Sequence, residues 1–150
     1  MFKWQCASFD ELSTHQLYAV LQARVNVFVV EQNCPYPELD DKDLHPETRH
    51  LIGYRNDDIA AYARLLPPGI SYPSVSIGRV LTTEKHRGNK LGYQLVEEAI
   101  NQCTALWPDT AIEIGAQEHL AHFYEKFGFK PTSTMYLDDG IPHIDMKRLV

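Results

Sequence analysis

The chain has 150 residues, with 14 Lys and Arg against 20 Asp and Glu, for a formal net charge of -6. That length suits a single domain, 1–150, able to remove roughly 70% of its unfolded surface from water. The acidic balance argues against nucleic acid or an anionic membrane as a partner and mildly favours a cationic one. No apolar run approaches the ~18 residues of a membrane span, and residues 1–5 begin no signal sequence. The dispersed cysteines Cys6, Cys34 and Cys103 suggest free thiols in a reducing, cytoplasmic setting.

Residues 2–7 read as a short first strand. From Ser13 or Thr14, either a good N-cap, apolar residues recur at Leu17, Leu21, Val25 and Phe28, with Val20 and Val29 widening the stripe. This predicts an amphipathic helix. The prolines of Asn33-Cys34-Pro35-Tyr36-Pro37 end it, and an acidic loop follows at 38–43. Residues 50–54, the turn Asn56-Asp57-Asp58 and residues 59–66 read as a β-hairpin. After a loop rich in proline, 75–81 is the next strand. Leu91, Leu95, Val96, Ala99, Ile100 and Cys103 then form a stripe of 3.6-residue period. Trp107-Pro108-Asp109 breaks that helix, 111–114 is a strand of buried type, and 118–127 is a short helix stopped by Gly128 in a left-handed conformation. Two last strands, about 130–137 and 142–149, flank Asp138-Asp139-Gly140. The order β-α-β-β-β-α-β-α-β-β predicts an α/β fold, with helices on both faces of a mixed central sheet of about seven strands.

Two segments carry chemistry. Arg87-Gly88-Asn89-Lys90-Leu91-Gly92 lies between a strand and a helix. A strand that turns through glycines into a helix aims free N–H groups and the positive end of the helix dipole at one point, as a pyrophosphate requires. Phe123-Tyr124-Glu125-Lys126-Phe127-Gly128-Phe129 puts a tyrosine on a short glycine-stopped helix; read alone, its aromatics are core packing.

Taken together, the strand, the Arg-Gly-x-x-x-Gly turn, the amphipathic helix and Phe-Tyr-x-x-x-Gly-Phe resemble the cofactor motifs of the GCN5-related N-acetyltransferase (GNAT) superfamily. The likeness covers 75–129, and the strand order extends it over the chain. Phe28-Val29-Val30-Glu31-Gln32-Asn33-Cys34-Pro35-Tyr36, Gly115-Ala116-Gln117 and Gly140-Ile141-Pro142-His143 are similar to the ElaA branch of that superfamily. One position departs: Lys90 stands where the phosphate loop usually has glycine, and with helical torsions it would still offer its N–H.

The resemblance implies an acyl-CoA N-acyltransferase fold and acetyl-CoA as co-substrate, with no metal. It implies that Arg87, Gly88, Asn89, Lys90, Leu91 and Gly92 bind the pyrophosphate. It also implies that the pantetheine arm pairs with the strand carrying Val80, Leu81 and Thr82, with an N–H near Val80 or Leu81 facing the acyl oxygen, and that Gln117 and Phe123 lie along the cofactor. Tyr124 would sit beside the thioester sulfur. A phenol of pKa near 10 stays protonated at neutral pH and can act as general acid, or as hydrogen-bond donor, to a departing thiolate whose conjugate acid lies near 8.5. The acceptor would be a small-molecule or peptide amine, and a homodimer is compatible with the fold. Candidates for the general base are Glu31, Glu113, His119 and His143, or a water relay.

Arg64 and Arg79, the charged residues of otherwise uncharged strands, are expected to pair with carboxylates of the acidic loop. The loop is otherwise a solvated turn or a means of attracting a cationic acceptor. Cys34, among acidic neighbours, is expected to be inert. Two other functions stay open. Arg24, Phe28, Glu38, Asp40, Asp43 and Arg64 also resemble signature positions of acyl-homoserine-lactone synthases, and a non-catalytic acyl-CoA-binding module would share the turn.

Overall fold

In a computed structural model describing residues 1–150, the alternating runs assemble into one eight-stranded mixed sheet. β1 (Phe2–Ala7), β2 (Arg49–Arg55), β3 (Asp58–Leu66) and β4 (Val75–Thr82) form an antiparallel series; β5 (Ile112–Gln117) joins β4 in parallel and β8 (Ile141–Arg148) pairs antiparallel with β5. The run expected at 130–137 divides into β6 (Lys130–Pro131) and β7 (Tyr136–Asp138), both paired with β8. It divides because Thr132 and Ser133 turn to the backbone of Asp145. The Thr132 N–H donates to the Asp145 carbonyl at 2.8 Å, and the Asp145 N–H donates to Ser133 Oγ at 2.9 Å. The sheet order is β1-β2-β3-β4-β5-β8-β6, with β7 also against β8.

Side-chain alternation sends Leu51 and Ala63 to one face of the sheet and Ile52 and Tyr62 to the other, so each face builds its own core. On the first face lies α2 (Leu91–Leu106), whose buried residues are the six of the expected stripe. A fully buried leucine such as Leu95 contributes about 2 kcal/mol. α3 (Ala121–Glu125) covers the same face with Tyr124, and Gly128 follows with a φ of 88°.

On the other face lies α1 (Thr14–Arg24). Ser13 caps it reciprocally: its Oγ accepts from the Gln16 N–H and its N–H donates to Gln16 Oε1, each at 3.0 Å. The buried residues here are Val20, from the expected stripe, with Ala23, Arg24 and Val27; Leu17, Leu21, Phe28 and Val29 are half-buried, and Val25 is 39% exposed. The inward face is rotated by about one residue's turn because Arg24 is drawn inside by carboxylates described below. The helix then widens over Val25–Glu31 into a π-type turn, which carries Phe28 and Val29 off the expected period. No helix is long and apolar enough to cross a membrane.

Candidate active site

Two backbone features of β4 open the site. Tyr62 faces Leu81 and Arg64 faces Gly78, so Arg79 and Val80 together oppose Ala63 and form a β-bulge. Arg79 adopts a φ of 50°, uncommon outside glycine, and its guanidinium is held by Glu38 through Oε2 at 2.8 Å and the carbonyl at 3.0 Å. β4 and β5, moreover, pair only at Val75 with Ile112 and Ser76 with Glu113. Beyond those pairs the strands separate around a cleft of about 900 Å³.

Of the residues expected along a cofactor, Val80, Leu81, Thr82, Arg87 and Gln117 line this cleft, and Tyr124 joins them from α3. At the cleft's Arg87 end, Gly88, Asn89 and Lys90 have φ of 106°, 54° and 60°, and α2 begins at Leu91. Lys90 is therefore a left-handed N-cap, which corrects the helical torsions expected for it. The run of positive φ turns successive N–H groups to one side. Those of Gly88, Asn89, Lys90, Gly92 and Tyr93 meet no acceptor within the chain, an arrangement that suits an anion. The Leu91 side chain is in the core, so only its backbone belongs to the turn. The Phe123 ring lies outside the cleft lining, packed edge-on against Tyr124 and Phe127 and next to Gly92. The Arg87 side chain folds back: Nη2 donates to Glu31 Oε1 at 2.7 Å and to the Thr82 carbonyl at 2.8 Å.

Tyr124 is 8% exposed, its ring set between Phe123 and Phe129 at centroid distances of 5.3 and 6.0 Å. Burial is the cause that pushes its pKa up to about 12, so the hydroxyl is a donor throughout the neutral range.

The four base candidates separate. Glu31 is tied to Arg87, and Glu113 lies outside the cleft lining, accepting from the Ser74 N–H at 3.2 Å. Neither is placed to take a proton from an amine. His119 and His143 line the cleft. His143 Nδ1 is 2.8 Å from the Ile141 carbonyl; a carbonyl only accepts, so a neutral ring carries its proton on Nδ1 and leaves Nε2 as an acceptor.

Charge in the acidic loop is used internally. Arg24 binds Glu38 and Asp43, each at 2.7 Å; Arg64 binds Asp40 at 2.7 Å and Asp43 at 3.3 Å; Arg79 binds Glu38 and Asp40. The expected pairing of Arg64 and Arg79 is present. Glu38, Asp40 and Asp43 thus have arginine partners and a structural role, while Asp41 is exposed and makes no ion pair. Burial alone would raise the Asp43 carboxyl, but the hydrogen bond from Arg24 and the charges of Arg24 and Arg64 hold it below the usual range. Cys34 is buried, its Sγ 3.5 Å from the Asp139 carbonyl. No set of three or more His, Cys, Asp or Glu is arranged to hold a metal ion.

Sequence reasoning missed the buried pairing of Arg24 and one further group. Arg24 interrupts an apolar stripe, which is itself a signal of an internal partner. The other group is Asp145, whose Oδ1 accepts from Tyr72 at 2.8 Å and from Tyr136 at 2.7 Å in the same cleft. His143 and Asp145 alternate with Ile144 and Met146, so their period marks them as facing away from the core.

Residues 16–150 match the family described as acetyltransferase (GNAT) domain. The chain belongs to the GNAT family. It is 49% identical to protein ElaA of Escherichia coli over 150 residues, covering all of this chain and 98% of that one. The crystal structure of E. coli ElaA superposes with a TM-score of 0.92 over 99% of both chains. An acyl-CoA N-acyltransferase from Pseudomonas aeruginosa, 44% identical, gives 0.94, again over 99% of each. A CoA-dependent acyl-homoserine lactone synthase gives 0.79 over 98% of this chain and 82% of that one; at 15% identity it shares the fold alone.

Proposed function

We propose that this chain transfers the acetyl group of acetyl-CoA to a primary amine by direct attack in a ternary complex. The observation that carries the reading is the parting of β4 from β5. It exposes strand edges beside Tyr124 and leads to the uncommitted N–H groups at the start of α2. Those features fit a long ligand with a pyrophosphate at one end and a thioester at the other. Acetyl-CoA supplies an activated acyl carbon; the rest is the work of this chain's residues.

The turn from Arg87 to Gly92 binds the pyrophosphate through backbone N–H groups, with Asn89 and Lys90 in left-handed torsions and the Lys90 ammonium adding charge nearby. Val80, Leu81 and Thr82 offer their backbone to the pantetheine arm as a neighbouring strand would. An N–H near Val80 or Leu81, re-aimed by the bulge, stabilises negative charge growing on the acyl oxygen. Gln117 lines the opposite wall, and Phe123 braces the Tyr124 ring. As the new N–C bond forms and the C–S bond breaks, the electron pair leaves with sulfur and Tyr124 Oη donates to it. A phenol near 12 faces a thiol near 8.5, so complete proton transfer would be uphill by about 5 kcal/mol. Tyr124 therefore acts chiefly as a hydrogen-bond donor. The surplus proton of the amine goes to His143 Nε2, to His119 or to water.

The contacts of Arg24, Glu38, Asp40, Asp43 and Arg64 give the pattern resembling homoserine-lactone synthases a role in placing the loop, and no observation favours that second reading. The test is amine-dependent release of CoA thiol from acetyl-CoA, run against polyamines, amino acids, aminoglycosides and peptide N-termini. Thiol release with at least one amine, accompanied by acetylated product in the mass spectrum, is the expected result. CoA binding without release in every case would return the chain to a binding module.

A further inference from the structure

Resting on the acyl-transfer reading, we propose that Asp145 anchors a second, non-reacting ammonium of the acceptor, so that the acceptor class is diamines and other amines with a distal positive charge. Asp145 lies on β8 opposite Gly115 of β5 and shares the cleft with Tyr124, Gln117 and His143. Its carboxylate is fixed before any ligand arrives. Tyr72, from the loop between β3 and β4, and Tyr136, from β7, both donate to Oδ1. Its backbone is held by Thr132 and Ser133. With Oδ1 occupied twice, Oδ2 makes no bond within the chain and is left for a ligand.

Gly115 keeps this arrangement open. A Cβ there would come within 3.0 Å of the Tyr72 hydroxyl and 3.1 Å of the Tyr136 hydroxyl. Both phenols remain donors: burial first, then the Asp145 carboxylate, raises Tyr72 above its ordinary range and Tyr136 to about 12.

The charge pattern of the lining selects a cation. Arg64, Arg79 and Arg87 each have a carboxylate of the chain as partner, and Lys42 binds Ser71 Oγ at 2.8 Å on the exposed side. Asp145 has no cationic partner. It is unsuited to hold the nitrogen that attacks, because a carboxylate beside an ammonium favours the charged form, and the attacking amine must be neutral. A second nitrogen that stays charged suits it, leaving the first free to reach Tyr124 and His143.

The experiment compares diaminobutane with butylamine as acceptors at saturating acetyl-CoA. The expected kcat/KM is at least about tenfold higher for the diamine, mostly through KM, and Asp145→Asn brings the ratio close to one. Tyr136→Phe keeps the ring but removes one donor and should shift the ratio part of the way, which keeps the test readable if Asp145→Asn fails to fold. A wild-type ratio near one, or a ratio unmoved by both variants, overturns the proposal while leaving acetyl transfer intact. If CoA binds but neither amine is acetylated, calorimetric titration of the CoA-loaded protein with diaminobutane decides. Binding weakened about tenfold by Asp145→Asn supports the site, and absence of binding overturns it. Loss of CoA binding itself in the wild-type protein would overturn the transfer reading as well.

Discussion

Tyr124 combines a fixed ring with a hydroxyl that stays protonated well above neutral pH. Tyr124→Phe keeps the ring contacts with Phe123 and Phe129 and removes only the donor. Its kcat should fall by roughly 10²-fold, the low end of general acid contributions. The CoA Kd should barely move, since the bond strengthens only as sulfur gains charge. A thioester with a more acidic leaving thiol should narrow the loss. Wild-type kcat under conditions where chemistry limits the rate would return Tyr124 to the core. Gly88 provides a second check at this scale. Its φ of 106° is closed to a β-branched residue, yet a Cβ there would touch nothing. Gly88→Val should therefore leave the fold in place and weaken CoA binding about tenfold, or about 1.4 kcal/mol, by calorimetry.

At the scale of elements, α1 and the loop at 38–43 are joined by one buried guanidinium. Arg24 is fully buried between Glu38 and Asp43. Arg24→Met keeps the apolar stem but leaves Glu38 with Arg79 alone and Asp43 with Arg64 alone, so urea unfolding should show a loss of about 1–3 kcal/mol. Lys85→Ala, which breaks a pair open to solvent with Asp58, is the control and should leave the unfolding midpoint in place. The same network holds Arg79, hence the β4 bulge, so Arg24→Met should also raise the KM for acetyl-CoA. A variant as stable as the parent would show the network to be dispensable.

For the whole molecule, stability should depend on pH in two stages. Burial, helped by the charges of Arg24 and Arg64, holds the His50 imidazole below its ordinary range; its Nδ1 is 2.6 Å from the Tyr62 hydroxyl. The unfolded chain therefore takes up this proton first. The His50 contribution is complete above about pH 6.5 and is lost as pH falls through the lower folded value. Asp40 and Asp43 also lie below their usual range, held down by the arginines against the opposing effect of burial. Their contribution is present above about pH 3.9 and is lost below it. Urea midpoints at about pH 7.5, 5.5 and 3.5 should trace both declines, and His50→Asn should flatten the first. An unchanged slope in that variant would assign the first stage elsewhere.

The sequence by itself determined what local rules govern. The Ser13 cap, the hairpin, the six-residue stripe of α2 and the Gly128 stop depend on torsion preferences and periodicity among near neighbours, and all are present. The strand-turn-helix at Arg87 to Gly92 was legible for the same reason, as was Tyr124 through its family motif. Only the tertiary structure decided which face α1 buries, where β4 bulges and what Asp145 binds. A periodicity reading puts Arg24 on the apolar stripe of α1 but supplies no partner for its charge there. Burying its charge is favourable only once Glu38 and Asp43 arrive from a separate loop. Asp145 likewise depends on Tyr72, 73 residues away, and on Tyr136, nine residues away. Polar groups that satisfy one another across the fold have no period, so only the packed chain brings them together.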